Sequence, residues 1–435
     1  MRTLPARQPA PAGNAAGSPP ESRPAPPPVT RAWDGAAILS EPQTAAVLFA
    51  AWSGDPAVSV PSPPGAGKTR LVTLLAAYLA HRAGMRVGIA AQTREQAVQI
   101  ARRLGALSSR AVLLWSSRSP RPDCGATPAV SGGQARFPAD AGGIIIATTA
   151  RWLFADPRQM AADLLVVDEA WQSTYADLGA LGAFAGQIVC VGDPGQIDPV
   201  VTGSTTRWQA STHGPHLPAP AALHAAHGDA INTVALPHTW RLGPATTALI
   251  QPAFYPALPF TSRRPPEHIT GPAGPLPELA REMVTSNAGP GDATLAAACA
   301  MRVRALIAGH HLHAGAQPRP LTEADVAVVA AHVGQAAAIR AMLAGHPDVL
   351  TGTANQLQGL ERPAVVALHP LAGYRDLGTA AVADSGRACV MLTRHRAHLT
   401  VITDSRTPGV LAATDEATPH RDLLAQILRL PHVAP

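Results

Sequence analysis

The chain has 435 residues, 46% of them hydrophobic, which is enough for two or three domains with ample cores. Its formal charge of +5 is a mild basic excess that suits a phosphate-bearing partner without naming one. The four cysteines are far apart and none lies in a CxxC pair, which argues against a zinc site and a disulfide framework. No apolar run reaches the roughly 18 residues of a membrane span, and the N-terminus lacks the apolar stretch of a signal peptide. The expectation is a reduced, cytoplasmic protein with no membrane partner.

In chain order, residues 1–32 are rich in Pro and Ala and lack periodic apolar positions, so they are expected to be a disordered tail. Order is expected from Trp33, with a helical pattern through Leu39, Ala46, Val47, Phe49 and Ala50. A strand over 58–60 leads into a glycine loop, then a helix over 69–83. The alternation continues with a strand at 86–91, a helix at 94–104, and strands at 144–147, 164–167 and 187–191. Residues 105–143 are rich in Gly, Ser and Pro and carry no expected strand. Residues 203–235 are expected to be loops with one short helix. A new segment starts at Leu236, and residues 256–292, rich in Pro and Gly, are expected to be a loop or small insertion. A helix at 293–309, a strand at 326–330, a helix at 335–343, strands at 364–368 and 399–403 and a last helix at 421–430 follow. Apolar strands alternating with helices predict an α/β fold with parallel sheets covered on both faces.

Ser62-Pro63-Pro64-Gly65-Ala66-Gly67-Lys68-Thr69 lies between a predicted strand and a predicted helix. That setting is what a phosphate-binding loop needs. Its glycines let backbone N–H groups close around phosphates at a helix N-terminus, which favours anions. Pro64, Gly65, Ala66, Gly67, Lys68, Thr69 and Arg70 are the expected nucleotide contacts. Lys68 is suited to the β- and γ-phosphates of ATP, and the Thr69 hydroxyl to Mg²⁺. The pattern's usual first glycine is replaced by Ser62. Downstream, Leu164-Leu165-Val166-Val167-Asp168-Glu169 is an apolar strand ending in two acids. Asp168 is the expected second Mg²⁺ residue, and Glu169 the group that polarises the attacking water.

With these motifs the chain resembles the superfamily 1 helicases, over about residues 39–404. Leu39-Ser40-Glu41-Pro42-Gln43 resembles the family's Gln-containing motif, which implies that Gln43 reads the adenine edge. Asp168-Glu169-Ala170-Trp171-Gln172 resembles the DExxQ box, where Trp171 is expected to pack against the sheet. Val191-Gly192-Asp193-Pro194-Gly195-Gln196-Ile197-Asp198-Pro199-Val200 is similar to the GDxxQLxPV motif, which makes Gln196 the γ-phosphate sensor. In Leu236-Pro237-His238-Thr239-Trp240-Arg241 the resemblance implies that Arg241 stabilises transition-state charge. Trp240 is then either an adenine stack or a core aromatic. Gln358-Gly359-Leu360-Glu361 resembles the QGxE motif, with Glu361 facing the nucleotide. Arg387-Ala388-Cys389-Val390-Met391-Leu392-Thr393-Arg394 resembles the final motif, with Arg394 as a second arginine finger. The GDxxQ and QGxE texts lean toward the 5′→3′ branch.

The family fold is two RecA-like P-loop domains with ATP in the cleft between them. The resemblance therefore implies domains at 33–235 and 236–435. It also implies an ATP hydrolase that moves on single-stranded DNA or RNA. Thr93, His332 and Gln335 fall where relatives touch the nucleic-acid backbone, and each is equally a strand-end polar residue. Accessory insertions are short, which suggests a protein partner supplying accessory functions. It also keeps open a second reading, a regulatory ATPase switch within a larger complex. His310, His311 and His313 lack accompanying carboxylates or cysteines, so helix-end histidines are expected there rather than a metal site.

Overall fold

The computed structural model describes residues 40–139, 141–287, 289–315, 317–375, 385–413 and 419–433. The segment 1–32, Trp33 and Leu39 lie outside the described residues.

The chain is α/β, built on two parallel sheets. The first contains β1 (Ala57–Pro61), β2 (Arg86–Ala91), β3 (Ala111–Leu114), β4 (Ala129–Val130), β5 (Gly143–Thr148), β6 (Leu164–Asp168), β7 (Ile188–Gly192) and β8 (Asn232–Thr233). They lie in the order β4-β3-β5-β2-β6-β7-β1-β8, every neighbouring pair parallel. Alternate residues of these strands feed two separate cores. Val87, Ile89, Ile144, Ile146, Leu164 and Val166 pack under the helices Lys68–Arg82 and Arg94–Gly105. Ile145, Leu165, Val167 and Cys190 face the opposite layer with Trp152, Leu178 and Phe184. Strands apolar on both sides have no solvated face, which is why the sequence shows continuous apolar runs there.

Next come β9 (His238–Thr239), β10 (Thr261–Ser262), β11 (His268–Gly271), β12 (Gly274–Pro275), β13 (Leu279–Val284), β14 (His311–His313), β15 (Arg319–Pro320), β16 (Val326–Ala330), β17 (Leu350–Thr353), β18 (Arg362–Leu368) and β19 (His395–Asp404). The second parallel sheet runs β13-β19-β18-β16-β17, with its own core on each face. Strands β11, β12, β14 and β15 form a small antiparallel sheet, and β9 pairs with β10.

Two expectations are corrected. Residues 256–292 are not merely an insertion, because β13 is a strand of the second sheet, paired along β19 from Leu279 to Val284. Arg281 and Glu282 interrupt its apolar run. Glu282 is nonetheless buried, held by Arg302 at 3.1 Å with both side chains shielded from water. A buried ion pair needs its partner in place, and the partner lies on the helix Ala293–Gly309. The stretch 105–143 likewise holds β3 and β4. The histidine expectation stands in part. His310 follows that helix and its ring is 2.9 Å from the Ala305 carbonyl, but His311 and His313 belong to β14. Among the described residues no group of three or more His, Cys, Asp or Glu side chains gathers as metal ligands.

Strand β19 carries two buried histidines. Burial, and then the neighbouring His398, push His395 down to about 3, and burial pushes His398 down to about 4. Both are therefore neutral in the folded chain, whereas the unfolded chain protonates them near pH 6.5. Their contribution is complete above pH 6.5 and is lost as pH falls toward 4, at up to about 1.4 kcal/mol per pH unit each. The urea midpoint is expected to fall between pH 7.5 and pH 5, and His398→Gln to flatten that slope. Equal midpoints at the two pH values would contradict this.

Candidate nucleotide site

The carboxyl ends of β1, β6 and β7 lie side by side. Pro61 pairs with Gly192, and Asp168 pairs with Val191. The loop after β1 is the glycine loop, the turn after β6 carries Glu169, and the turn after β7 carries Asp193. Ligand crevices of open parallel sheets form at this edge.

In the glycine loop, Gly65 and Gly67 have φ of 73° and 85°, the left-handed region that glycine reaches without strain. Gly65 also has no room for a side chain, since a Cβ would sit 2.3 Å from the Cβ of Arg241. The segment after β8 clamps the loop from outside. The Thr239 hydroxyl donates to the Pro64 carbonyl at 2.6 Å, and the Trp240 N–H donates to the Gly65 carbonyl at 2.9 Å. Lys68, only 8% exposed, places Nζ 3.5 Å from Asp193 and 3.9 Å from Glu169.

Thr69 Oγ1 lies 3.5 Å from Asp168 Oδ2. Burial, and then the neighbouring charge of Glu169, push the Asp168 carboxyl up, against the pull of Lys68. A divalent cation would reverse that balance by favouring the ionised form. Two hard oxygen donors fit Mg²⁺, which takes few protein ligands and keeps waters and phosphate oxygens for the rest. Glu169 is the one non-glycine residue at positive φ among those described, at 53°.

One cavity of about 510 Å³ gathers these groups and continues onto the second half of the chain. Of the residues singled out in the sequence, Gly65, Ala66, Gly67, Lys68, Thr69, Arg70, Asp168, Glu169, Gln196, Trp240, Arg241, Glu361 and Arg394 line it. Gln43 and Pro64 do not. Gln43 sits half-buried on the helix Pro42–Ser53, and Pro64 contributes its carbonyl to Thr239 instead. Trp240 is 46% exposed, so it is no core aromatic. Trp171 packs over Gly192, as expected.

Arg241 Nε donates to Glu361, which also faces Arg396 at 3.6 Å. Burial alone would raise the Glu361 carboxyl, but the Arg241 charge and hydrogen bond hold it below its ordinary value. Arg394 is buried and donates to the carbonyls of Val390 and Leu360 and to Thr393 Oγ1. Burial, then the charge of Arg241, lower it to about 10, so it stays cationic at neutral pH. Among the described residues no carboxylate pairs with it. A buried cation that borders a cavity with no carboxylate in direct contact favours an anion there.

Sequence reasoning missed several neighbours. Gln96, Gln99, Arg103 and Arg362 also line the cavity. Asp193, quoted in a motif but given no role, is an acceptor for Lys68, Gln196, the Gly195 N–H and Tyr255. The three residues weighed for strand contact all lie in the first turns of helices, Thr93 and His332 as N-caps. Thr93 and Gln96 form a capping box, and Gln335, buried, accepts from the His332 N–H and donates to the Pro290 carbonyl.

Motifs spread from the glycine loop to Arg394 thus converge on one cavity, and an AAA domain family matches residues 38–219. The matched part of the chain carries the glycine loop and the strand end at Asp168 and Glu169. Among solved structures the chain is similar to the PRRSV helicase, with 16% identity and a TM-score of 0.42 over 85% of this chain and 57% of that one. It is also similar to the arterivirus nonstructural protein 10 helicase in complex with DNA, with 15% identity and a TM-score of 0.44 over 83% of this chain and 64% of that one. The chain thus spans 57–64% of the length of these helicases. No curated protein matches it. No helix among the described residues is long and apolar enough to cross a membrane.

Proposed function

We propose that the chain is an ATP- and Mg²⁺-dependent translocase or helicase acting on single-stranded DNA or RNA. In this reading residues 33–235 and 236–435 are two RecA-like domains and the cavity is the cleft between them. The observation that carries it is the origin of the lining. Lys68 and Thr69 open the helix after β1 and Asp168 and Glu169 lie at the end of β6 in the first sheet, while Glu361 and Arg394 immediately precede β18 and β19 of the second. Arg241 lies at the junction, just after Leu236 packs into the first core and just before Leu242 packs into the second.

A site completed from two halves couples closure to chemistry. Lys68 moves from its carboxylates to the β- and γ-phosphates, and Glu169 orients the attacking water. Arg241 and Arg394 meet the charge that develops on the transferred group, and Gln196 reports the γ-phosphate. Trp240 and Gln43 serve the adenine, and Glu361 holds Arg241 at the nucleotide. Thr69 and Asp168 would hold Mg²⁺, which supplies charge neutralisation at the phosphates when bound.

The test is ATP turnover with and without short DNA and RNA oligonucleotides. Stimulation that disappears in Lys68→Ala supports the reading, and failure of both DNA and RNA to stimulate removes it. One observation favours the second reading, a regulatory switch bound to a protein partner. Phe49 and Trp52 are 65% and 60% exposed beside an apolar groove of about 640 Å³. ATP-dependent capture of a protein, with no affinity for strands, would select it.

A further inference from the structure

The geometry points to Tyr255 as a positioning residue whose hydroxyl ties the phosphate-sensing turn after β7 to the helix that presents Arg394. The inference rests on the nucleotide reading of the cavity and adds a residue outside every motif above.

Tyr255 is buried, directly after the helix Pro244–Phe254, with its ring edge-on to Phe260 at 5.3 Å. Its hydroxyl donates to Asp193 Oδ1 at 2.8 Å and lies 3.1 Å from Cys389 Sγ, close enough to accept from that thiol. Asp193 belongs to the turn that also carries Gln196. Cys389 belongs to the helix Ser385–Leu392, which leads into Arg394. One oxygen atom is therefore shared by the two structures that must move together when the cleft closes. The contact is tight on the backbone side too, since a Cβ on Gly195 would sit 2.5 Å from Tyr255 Cζ.

The chemistry gives that oxygen a task. The buried Asp193 carboxylate has four donors: Lys68 Nζ at 3.5 Å, Gln196 Nε2 at 2.5 Å, the Gly195 N–H at 3.1 Å and the Tyr255 hydroxyl. When Lys68 turns to phosphate, Asp193 loses its one cationic donor. A buried carboxylate short of donors either rotates or drags its turn with it. Tyr255 is the donor supplied by the second half of the chain, so it holds Asp193, and through it Gln196, in register with Arg394 while Lys68 is engaged. Gln196 is met from that half as well, by Gln358 at 3.3 Å.

The test is Tyr255→Phe, which keeps the ring packing and removes only the hydroxyl. Basal ATP turnover is expected to lose kcat by roughly 10-fold or more, as small misplacements of catalytic groups do, with KM changed by less than about 3-fold. A second variant, Cys389→Ala, cuts the other side of the bridge and is expected to lower kcat in the same sense by a smaller factor. It serves as the readout if Tyr255→Phe does not fold. A lowered melting temperature with kcat unchanged in both variants would overturn the proposal and leave Tyr255 a packing residue. Because the readout is basal turnover, absence of strand stimulation in the natural chain would remove the translocase reading without deciding this one.

Discussion

Arg241→Ala is expected to slow ATP turnover by roughly 10³–10⁵-fold, the usual worth of an arginine finger, while ADP affinity changes by only a few fold. The side chain lines the cavity from the segment that clamps the glycine loop, and its Nε is turned toward Glu361. Its removal leaves the loop clamp intact, because Thr239 and the Trp240 N–H supply those hydrogen bonds. Glu361 keeps Arg396 as a cationic neighbour, so no bare carboxylate is stranded. Steady-state turnover beside a fluorescent-ADP titration separates the two quantities. A loss below 10-fold would place Arg241 among ordinary salt-bridge residues.

The second large effect is expected at Glu169. Glu169→Gln keeps the size and removes the base, which is worth about 10²–10⁴ in the chemical step. Lys68 loses one of two carboxylates nearby, so ATP affinity is expected to hold or rise. The left-handed backbone at Glu169 supports the assignment. A non-glycine residue there costs of order 1–3 kcal/mol and persists where the surroundings hold it for a purpose. Single-turnover hydrolysis with a nucleotide titration checks both parts. Unchanged hydrolysis would move the base elsewhere in the cavity.

Much of this site was legible because its parts are contiguous in sequence. A glycine loop between strand and helix, and an apolar strand ending in Asp168 and Glu169, state their chemistry within a few residues. Arg394 was legible only by resemblance, and the structure adds why it matters: it is a buried cation with no carboxylate partner among the described residues. What escaped depended on partners remote in sequence. Strand β13 was hidden by Glu282, a charge made tolerable by Arg302 on the following helix. Tyr255 carries no local signal, and its meaning comes from Asp193, 62 residues before it, and Cys389, 134 residues after it. Thr93 and Gln335 read equally as strand contacts or as strand-end polar residues, and both take part in helix capping, since polar residues at strand ends serve either use.

The central claim is that one nucleotide is held by both halves of the chain at once. A crystal structure with Mg²⁺ and a non-hydrolysable ATP analogue tests it most directly. The γ-phosphate is expected within hydrogen-bond reach of Lys68, Arg241 and Arg394, and the metal beside Thr69 and Asp168. An analogue bound elsewhere, or held by the first half alone with Arg394 still buried away from it, would contradict the account.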